Sequence, residues 1–245
     1  MTTVIAVRDL TIGWSRDAVL IENASFTVER GEIFGILGRS ASGKSTLLRE
    51  MIGLEPALAG EIELVGVGKV ELGTHRPYFG VMFQQGALFG SLTLGQNVAL
   101  PLERWTELPP DAIRAIVRAK LRLVGLEEAY DQLPATLSGG MRKRAAIARA
   151  LALEPSLLFL DEPSSGLDPI TSAEIDRLIR TLATGLGLTV VLVTHELGSI
   201  ETIVDRCILL DRPTKSIIAT GTPRDLATSS VPAVHHFFHR IPEAA

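Results

Sequence analysis

Eight consecutive residues constrain this chain more than any others: Gly38-Arg39-Ser40-Ala41-Ser42-Gly43-Lys44-Ser45. They match the pattern G-x-x-x-x-G-K-S/T at every fixed position. The apolar stretch 32–37 before them reads as a short strand. Residues 43–52 after them read as a helix that stops near Gly53. A glycine-rich loop in that setting lets backbone N–H groups close around phosphate oxygens, and the helix N-terminus adds a favourable dipole. The expected nucleotide contacts are Gly38, Arg39, Ser40, Ala41, Ser42, Gly43, Lys44, Ser45 and Thr46. Lys44 reaches the β- and γ-phosphates of ATP in such a loop, and the Ser45 hydroxyl ligates Mg²⁺.

A second segment completes the chemistry. Leu157-Leu158-Phe159-Leu160-Asp161-Glu162 is an apolar strand that ends in two carboxylates. A buried parallel strand delivers its last residues to the sheet edge where ligands bind. Asp161 can hold Mg²⁺ there, and Glu162 can accept a proton from an attacking water.

Around these two segments, strands and helices alternate. Residues 4–28 read as short strands broken at Gly13 and Asn23, and residues 61–65 and 78–83 look extended. The middle third is helical. Asp111 follows two prolines and can cap a helix whose apolar positions are Ile113, Ile116, Val117, Leu121 and Val124, with Gly125 as the stop. Ser138 opens another helix through Leu153, stopped before Pro155. Beyond it come a strand at 157–160, a helix at 169–182 with Ile170, Ile175, Leu178, Ile179 and Leu182 on one face, a strand at 188–193, a helix at 197–204 and a strand at 207–210. Alternation of this kind argues for a parallel sheet covered by helices.

Composition narrows the classes. Lys plus Arg is 24 and Asp plus Glu is 28, giving 24 − 28 = −4. A mildly acidic chain is a poor general nucleic-acid binder. The basic run Arg142, Lys143, Arg144 and Arg149 is accordingly read as a solvated helix face. The single Cys207 excludes an internal disulfide framework and a zinc cluster of cysteines, and fits a reducing compartment. No stretch approaches the ~18 apolar residues of a membrane span. The expectation is a soluble, cytoplasmic chain that reaches a membrane only through a partner.

Leu137-Ser138-Gly139-Gly140-Met141 opens the helix that runs on through Arg149, and Ser138 lies 161 − 138 = 23 residues before Asp161. A serine and two glycines at a helix start form a second anion site, which one nucleotide does not need from the same chain. At this point the sequence resembles the ATP-binding cassette (ABC) ATPases over nearly its whole length. The resemblance implies a P-loop NTPase fold with a RecA-like α/β core, an N-terminal antiparallel β subdomain and an inserted α-helical subdomain. It places a single ATPase domain at 1–228, the helical insertion at 88–152 and a contact tail at 229–245. It makes Gln84 the family's Q-loop glutamine, a Mg²⁺ contact and catalytic participant. Asp168 becomes its D-loop aspartate and His195 its switch histidine, with Trp14 the aromatic that stacks on adenine. It also implies a head-to-tail dimer in which Ser138, Gly139, Gly140 and Met141 of one copy meet the γ-phosphate held by the other.

Two classes of ABC protein compete. One is the ATPase subunit of a membrane transporter, on the cytoplasmic side of the inner membrane and held there by a multi-span permease. The other is a soluble ABC ATPase of DNA repair, translation or iron–sulfur assembly. A single 245-residue cassette favours the transporter. Residues 79–89 and the Met141 signature are similar to cassettes that serve MCE-domain lipid transporters. That similarity implies phospholipid or other hydrophobic cargo and an MCE substrate-binding protein, and it rests on analogy alone. One departure is the short connection from Lys44 to Gln84, 84 − 44 = 40 residues containing Gly66, Gly68 and Gly73. The apolar run after Gln84, with Leu88 and Phe89, is read as the docking groove for the permease. In the tail, Val234, Phe237 and Phe238 share one face of a short helix, expected to contact another subunit and to matter little for the chain's own stability. His235 and His239 stand at i, i+4 without a third metal ligand.

Overall fold

The structure is a computed structural model that describes residues 2–68 and 75–241; Gly73 lies outside the described residues. The chain forms two compact units, residues 1–75 with 189–245, and residues 76–188.

In the first segment of the first unit, β1 (Thr3–Gly13) and β2 (Val19–Glu29) make an antiparallel hairpin. Asn23 does not break β2. It takes a left-handed φ of 51° inside the strand, and Asp9 takes 47° inside β1. The pairing register shifts beside each, so two bulges absorb these residues while the ladder continues. Next come β3 (Ile33–Gly38), α1 (Lys44–Met51) and β4 (Ala59–Leu64). β4 pairs antiparallel with the free side of β1 and completes a three-stranded sheet. Gly66 and Gly68 sit in the turn after it, with φ of 85° and 93°.

The second unit begins with β5 (Phe79–Met82), followed by α2 (Leu94–Trp105), α3 (Pro110–Leu123), α4 (Gly139–Ala150), β6 (Leu157–Asp161) and α5 (Pro169–Leu186). β5 and β6 are parallel. Helix α2 carries a signal the reading above passed over. Thr93 and Gln96 form a capping box, and an internal Pro101 hid the helical pattern. Helix α3 starts two residues earlier than a cap at Asp111 implies, with Pro109 in the cap position. Pro110 takes the first helical position, where its missing N–H costs nothing, and Asp111 sits in the first turn. Ile175, Ile179 and Leu182 of α5 are buried, but Ile170 is 75% exposed at the helix start.

The chain then returns to the first unit with β7 (Thr189–Thr194), α6 (Leu197–Ile203), β8 (Arg206–Asp211), β9 (Ser216–Gly221), α7 (Pro223–Ala227) and α8 (Pro232–Phe238). β3 lies between β7 and β8 and runs parallel to both, while β9 is antiparallel on the edge of β8. β3 and β7 are buried at every position, as strands covered on both faces must be. The tail helix α8 turns inward. Val234 is fully buried and Phe238 nearly so, which corrects the expectation that this face adds little to the chain's own stability.

Candidate functional site

The phosphate loop leaves the C-terminal end of β3 and enters α1 through left-handed backbone at Ala41 (φ 61°) and Gly43 (φ 92°). Gly38 has no room for a side chain: a Cβ there would stand 2.4 Å from Ser42 Oγ and 2.8 Å from the Leu210 carbonyl. Gly43 occupies the N-cap position of α1 and offers no side-chain acceptor to the first-turn N–H groups. Those donors therefore face the loop, as an anion site requires. Lys44 is buried, and its Nζ donates to the Gly38 and Arg39 carbonyls, each at 3.0 Å, across the mouth of the loop.

Three further features surround this loop in the first unit. His195 directly follows β7, whose Thr194 pairs with Leu37 of β3, so His195 and the loop leave the same sheet edge. Trp14 is 70% exposed at the turn joining β1 and β2. The β2 residues Leu20 and Ile21 lie 3.2–3.4 Å from a Cβ built on Gly43, so this hairpin flanks the loop. Behind the loop, a cavity of about 390 Å³ is lined by Arg39, Ser40, Asp211, Ala233 and Phe237. Arg39 Nη2 donates to the Ile241 carbonyl at 3.2 Å, so the end of the described chain touches the loop.

The second unit carries the carboxylates, the signature and the Q-loop. Met82 of β5 pairs with Leu160 of β6, so Gln84 and the pair Asp161–Glu162 also emerge from one edge. Asp161 and Glu162 are 4% and 6% exposed. Glu162 holds a left-handed φ of 50°, rare for a residue with a side chain and found most often at functional sites. Ser138 caps α4, its Oγ accepting from the Met141 N–H at 3.2 Å. The signature glycines serve close packing as well as anion access. A Cβ on Gly140 would meet Thr171 Cγ2 at 2.6 Å, and one on Gly139 would meet Leu167 Cδ2 at 3.0 Å. Asp168 caps α5 through Ile170 N–H and Thr171 N–H, both at 3.1 Å. The Thr171 hydroxyl at 2.6 Å, and then these N–H groups, hold its carboxyl below the usual range.

Two groups went unrecognised in the sequence. Asn97 of α2 is fully buried and grips the loop after Gln84, accepting from Phe89 N–H at 2.8 Å and donating to the Phe89 carbonyl at 3.1 Å. It leaves the Phe89 ring 57% exposed. The basic run on α4 is not the solvated face expected of it. Arg142 donates to the Leu137 carbonyl at 2.8 Å, Arg144 pairs with Glu174 at 2.6 Å, and Lys143 is 8% exposed. Arg149 donates to the Gly86 and Ala87 carbonyls at 2.8 and 2.7 Å, and burial pushes its guanidinium pKa down. These cations serve main-chain carbonyls and a neighbouring acid.

The family model described as ABC transporter matches residues 21–165, more than half of the chain. The chain belongs to the ABC transporter family. Its fold is the α/β P-loop fold of the ABC cassettes. The solved dimeric ATP-binding cassette MJ0796, bound to ADP and Pi in a post-hydrolysis state, superposes with a TM-score of 0.79 at 29% identity, covering 89% of this chain and 98% of that one. CbiO1 of Clostridium perfringens, part of an ABC transporter complex, gives 0.81 at 27% identity over 98% of this chain and all of its own. Among curated proteins, the probable ribonucleotide transport ATP-binding protein Mkl of Mycobacterium tuberculosis is 40% identical over 223 residues, covering 89% of this chain and 62% of that protein. The intermembrane phospholipid transport system ATP-binding protein MlaF of Escherichia coli K12 is 41% identical over 228 residues, 91% of this chain and 84% of its own. The chain thus spans somewhat under two thirds of the length of Mkl.

Proposed function

We propose that this cassette binds and hydrolyses Mg²⁺-ATP as a head-to-tail dimer and thereby drives a membrane permease. The observation that carries the proposal is the phosphate loop: left-handed turns at Ala41 and Gly43, a helix start with no side-chain cap, and Lys44 across the mouth. A phosphate chain fits that cradle through backbone donors and the ammonium. By the family resemblance Mg²⁺ would be held by Ser45, Gln84 and Asp161, each of which offers an oxygen of the hard kind it prefers. When bound, the metal neutralises charge on the phosphates. Lys44 holds the β- and γ-phosphates, Glu162 takes the proton of the attacking water, and His195 orients the γ-phosphate end. Trp14 stacks on the adenine from the exposed hairpin turn.

A second copy supplies Ser138 through Met141. Ile170, 75% exposed beside the Asp168 cap, is the kind of apolar side chain a second copy covers. Among the described residues no helix is long and apolar enough to cross a membrane; in this proposal the permease supplies the spans. The exposed Phe89 ring, its backbone held by Asn97, is the docking element for that permease. Similarity to MlaF supports phospholipid cargo, and the likeness of residues 79–89 and Met141 to cassettes of MCE-domain transporters adds an MCE-domain protein as substrate-binding partner. The site would then lie on the cytoplasmic side of the membrane. Purifying the intact complex and identifying its proteins and lipids by mass spectrometry tests the assembly. The expected result is a multi-span permease, an MCE-domain protein and co-purifying phospholipid, and a complex without a permease contradicts it. Phe89→Asp should abolish stimulation of ATP hydrolysis by the permease while leaving the basal rate and the melting temperature unchanged.

A further inference from the structure

We propose that Lys143 is a positioning residue for hydrolysis: by donating at once to the main-chain carbonyls of Gln84 and Glu162, it fixes the turn that bears the catalytic carboxylate to the loop that leads to the docking surface. The inference rests on Glu162 as the proton acceptor. Lys143 projects from α4, yet it is only 8% exposed. Burying an ammonium is costly unless its donors are used. Its Nζ makes a short hydrogen bond to the Gln84 carbonyl and another, at 2.9 Å, to the Glu162 carbonyl. Those acceptors are 162 − 84 = 78 residues apart in sequence and follow different strands, β5 and β6.

One acceptor, Glu162, is itself in strained backbone, and the other lies three residues before a second strained position, Ala87. Glu162 has φ of 50°, and the Q-loop passes through φ of 75° at Gly86 and 48° at Ala87. Such conformations persist only where surrounding groups hold them. Donors to the Glu162 carbonyl include these three: Lys143 Nζ, Ser165 Oγ at 3.1 Å and Ser165 N–H at 3.3 Å. Of the three, only the ammonium is charged, and only it comes from another element. On the loop side, Lys143 and Arg149 take the carbonyls of Gln84, Gly86 and Ala87. A Cβ on Gly86 would rest 3.4 Å from Ala146 Cβ, so the loop lies along one face of α4 made by residues 143, 146 and 149. Arg149 reaches the loop alone; Lys143 reaches the loop and the carboxylate turn. A change in the Q-loop, such as docking at Phe89 imposes, is therefore felt at the backbone of Glu162 through one ammonium. If that grip is lost, Glu162 leaves its left-handed conformation and its carboxylate leaves the attacking water, while the phosphate loop keeps its own contacts.

The test compares wild type, Lys143→Met, Lys143→Gln, Lys143→Arg and Glu162→Gln in the full chain. It measures kcat, KM and Kd for ATP and the melting temperature. Lys143→Met should lower kcat by about tenfold or more, the scale of one charge-assisted hydrogen bond. KM and Kd should stay within about twofold, and Lys143→Arg should restore most of kcat. Full kcat in Lys143→Met overturns the grip. So does a parallel loss of nucleotide binding and turnover in both Lys143→Met and Lys143→Gln, which makes the residue structural. Glu162→Gln separates the two ideas. If it keeps full turnover, the reading of Glu162 is wrong; if it is inactive while Lys143→Met is fully active, only the role of Lys143 is wrong.

Discussion

Glu50 shows how far burial alone can move a residue from its expected state. It lies on α1, 5% exposed, five residues before Glu55. Burial first, and the charge of Glu55 second, push its pKa up from 4.5 to about 8. A carboxyl that titrates higher in the folded chain than in the unfolded one keeps its proton on folding. Its contribution to stability is present below pH ~4.5 and is lost as pH rises towards ~8. Urea unfolding should give a stability that declines between those limits, and Glu50→Gln should remove most of that decline. An unchanged slope in the variant would place the titration elsewhere. At this scale the sequence was legible in position where chemistry demands a residue type at a fixed spacing: Lys44 opens the helix after the glycine-rich loop, and Glu162 follows the buried strand β6. It was not legible at Lys143, Asn97 or Glu50, whose roles depend on which distant carbonyl or apolar surface the fold brings to them.

Single elements carry their own expectations. Face and cap signals placed α1, the start of α4 and the strands β5 to β8 within a residue or two, because those signals are local; the helix read through Leu153 ends at Ala150, and the edge strand β9 went unread. They failed where local chemistry conflicts with the outcome. Asn23 is a turn former inside β2, tolerated because a bulge absorbs it, and Pro101 is a helix breaker inside α2, tolerated where the buried Leu94, Val98 and Leu102 pack that helix in place. Helix α8 gives the clearest test. Val234 and Phe238 are buried in the chain's own unit, and Phe237 lines the cavity behind the phosphate loop. Burial of two such side chains contributes about 1.5–3 kcal/mol each. Truncation after Thr228 should therefore lower the melting temperature of the isolated chain by roughly 10 °C, at about 2–4 °C per kcal/mol for a chain of this size. An unchanged melting temperature would return the helix to the role of a contact for another subunit. His235 and His239 stack on one another, ring centroids 4.0 Å apart, and among the described residues no cluster of three metal-ligating side chains forms.

For the whole molecule, the account makes one copy insufficient. The phosphate loop stands at the start of α1 and the signature at the start of α4, and in the proposed head-to-tail dimer these two helix N-termini, one from each chain, serve one nucleotide. The central claim is that Glu162 turns this bound pair of chains into an ATPase. The direct measurement is phosphate release by Glu162→Gln beside wild type, with ATP binding checked in the same samples. The account predicts that the variant binds ATP and shifts to a dimer on light scattering more than it does with ADP, while turnover falls by ~10² or more, the scale of a lost general base. Full turnover in the variant, at wild-type ATP binding, would contradict it.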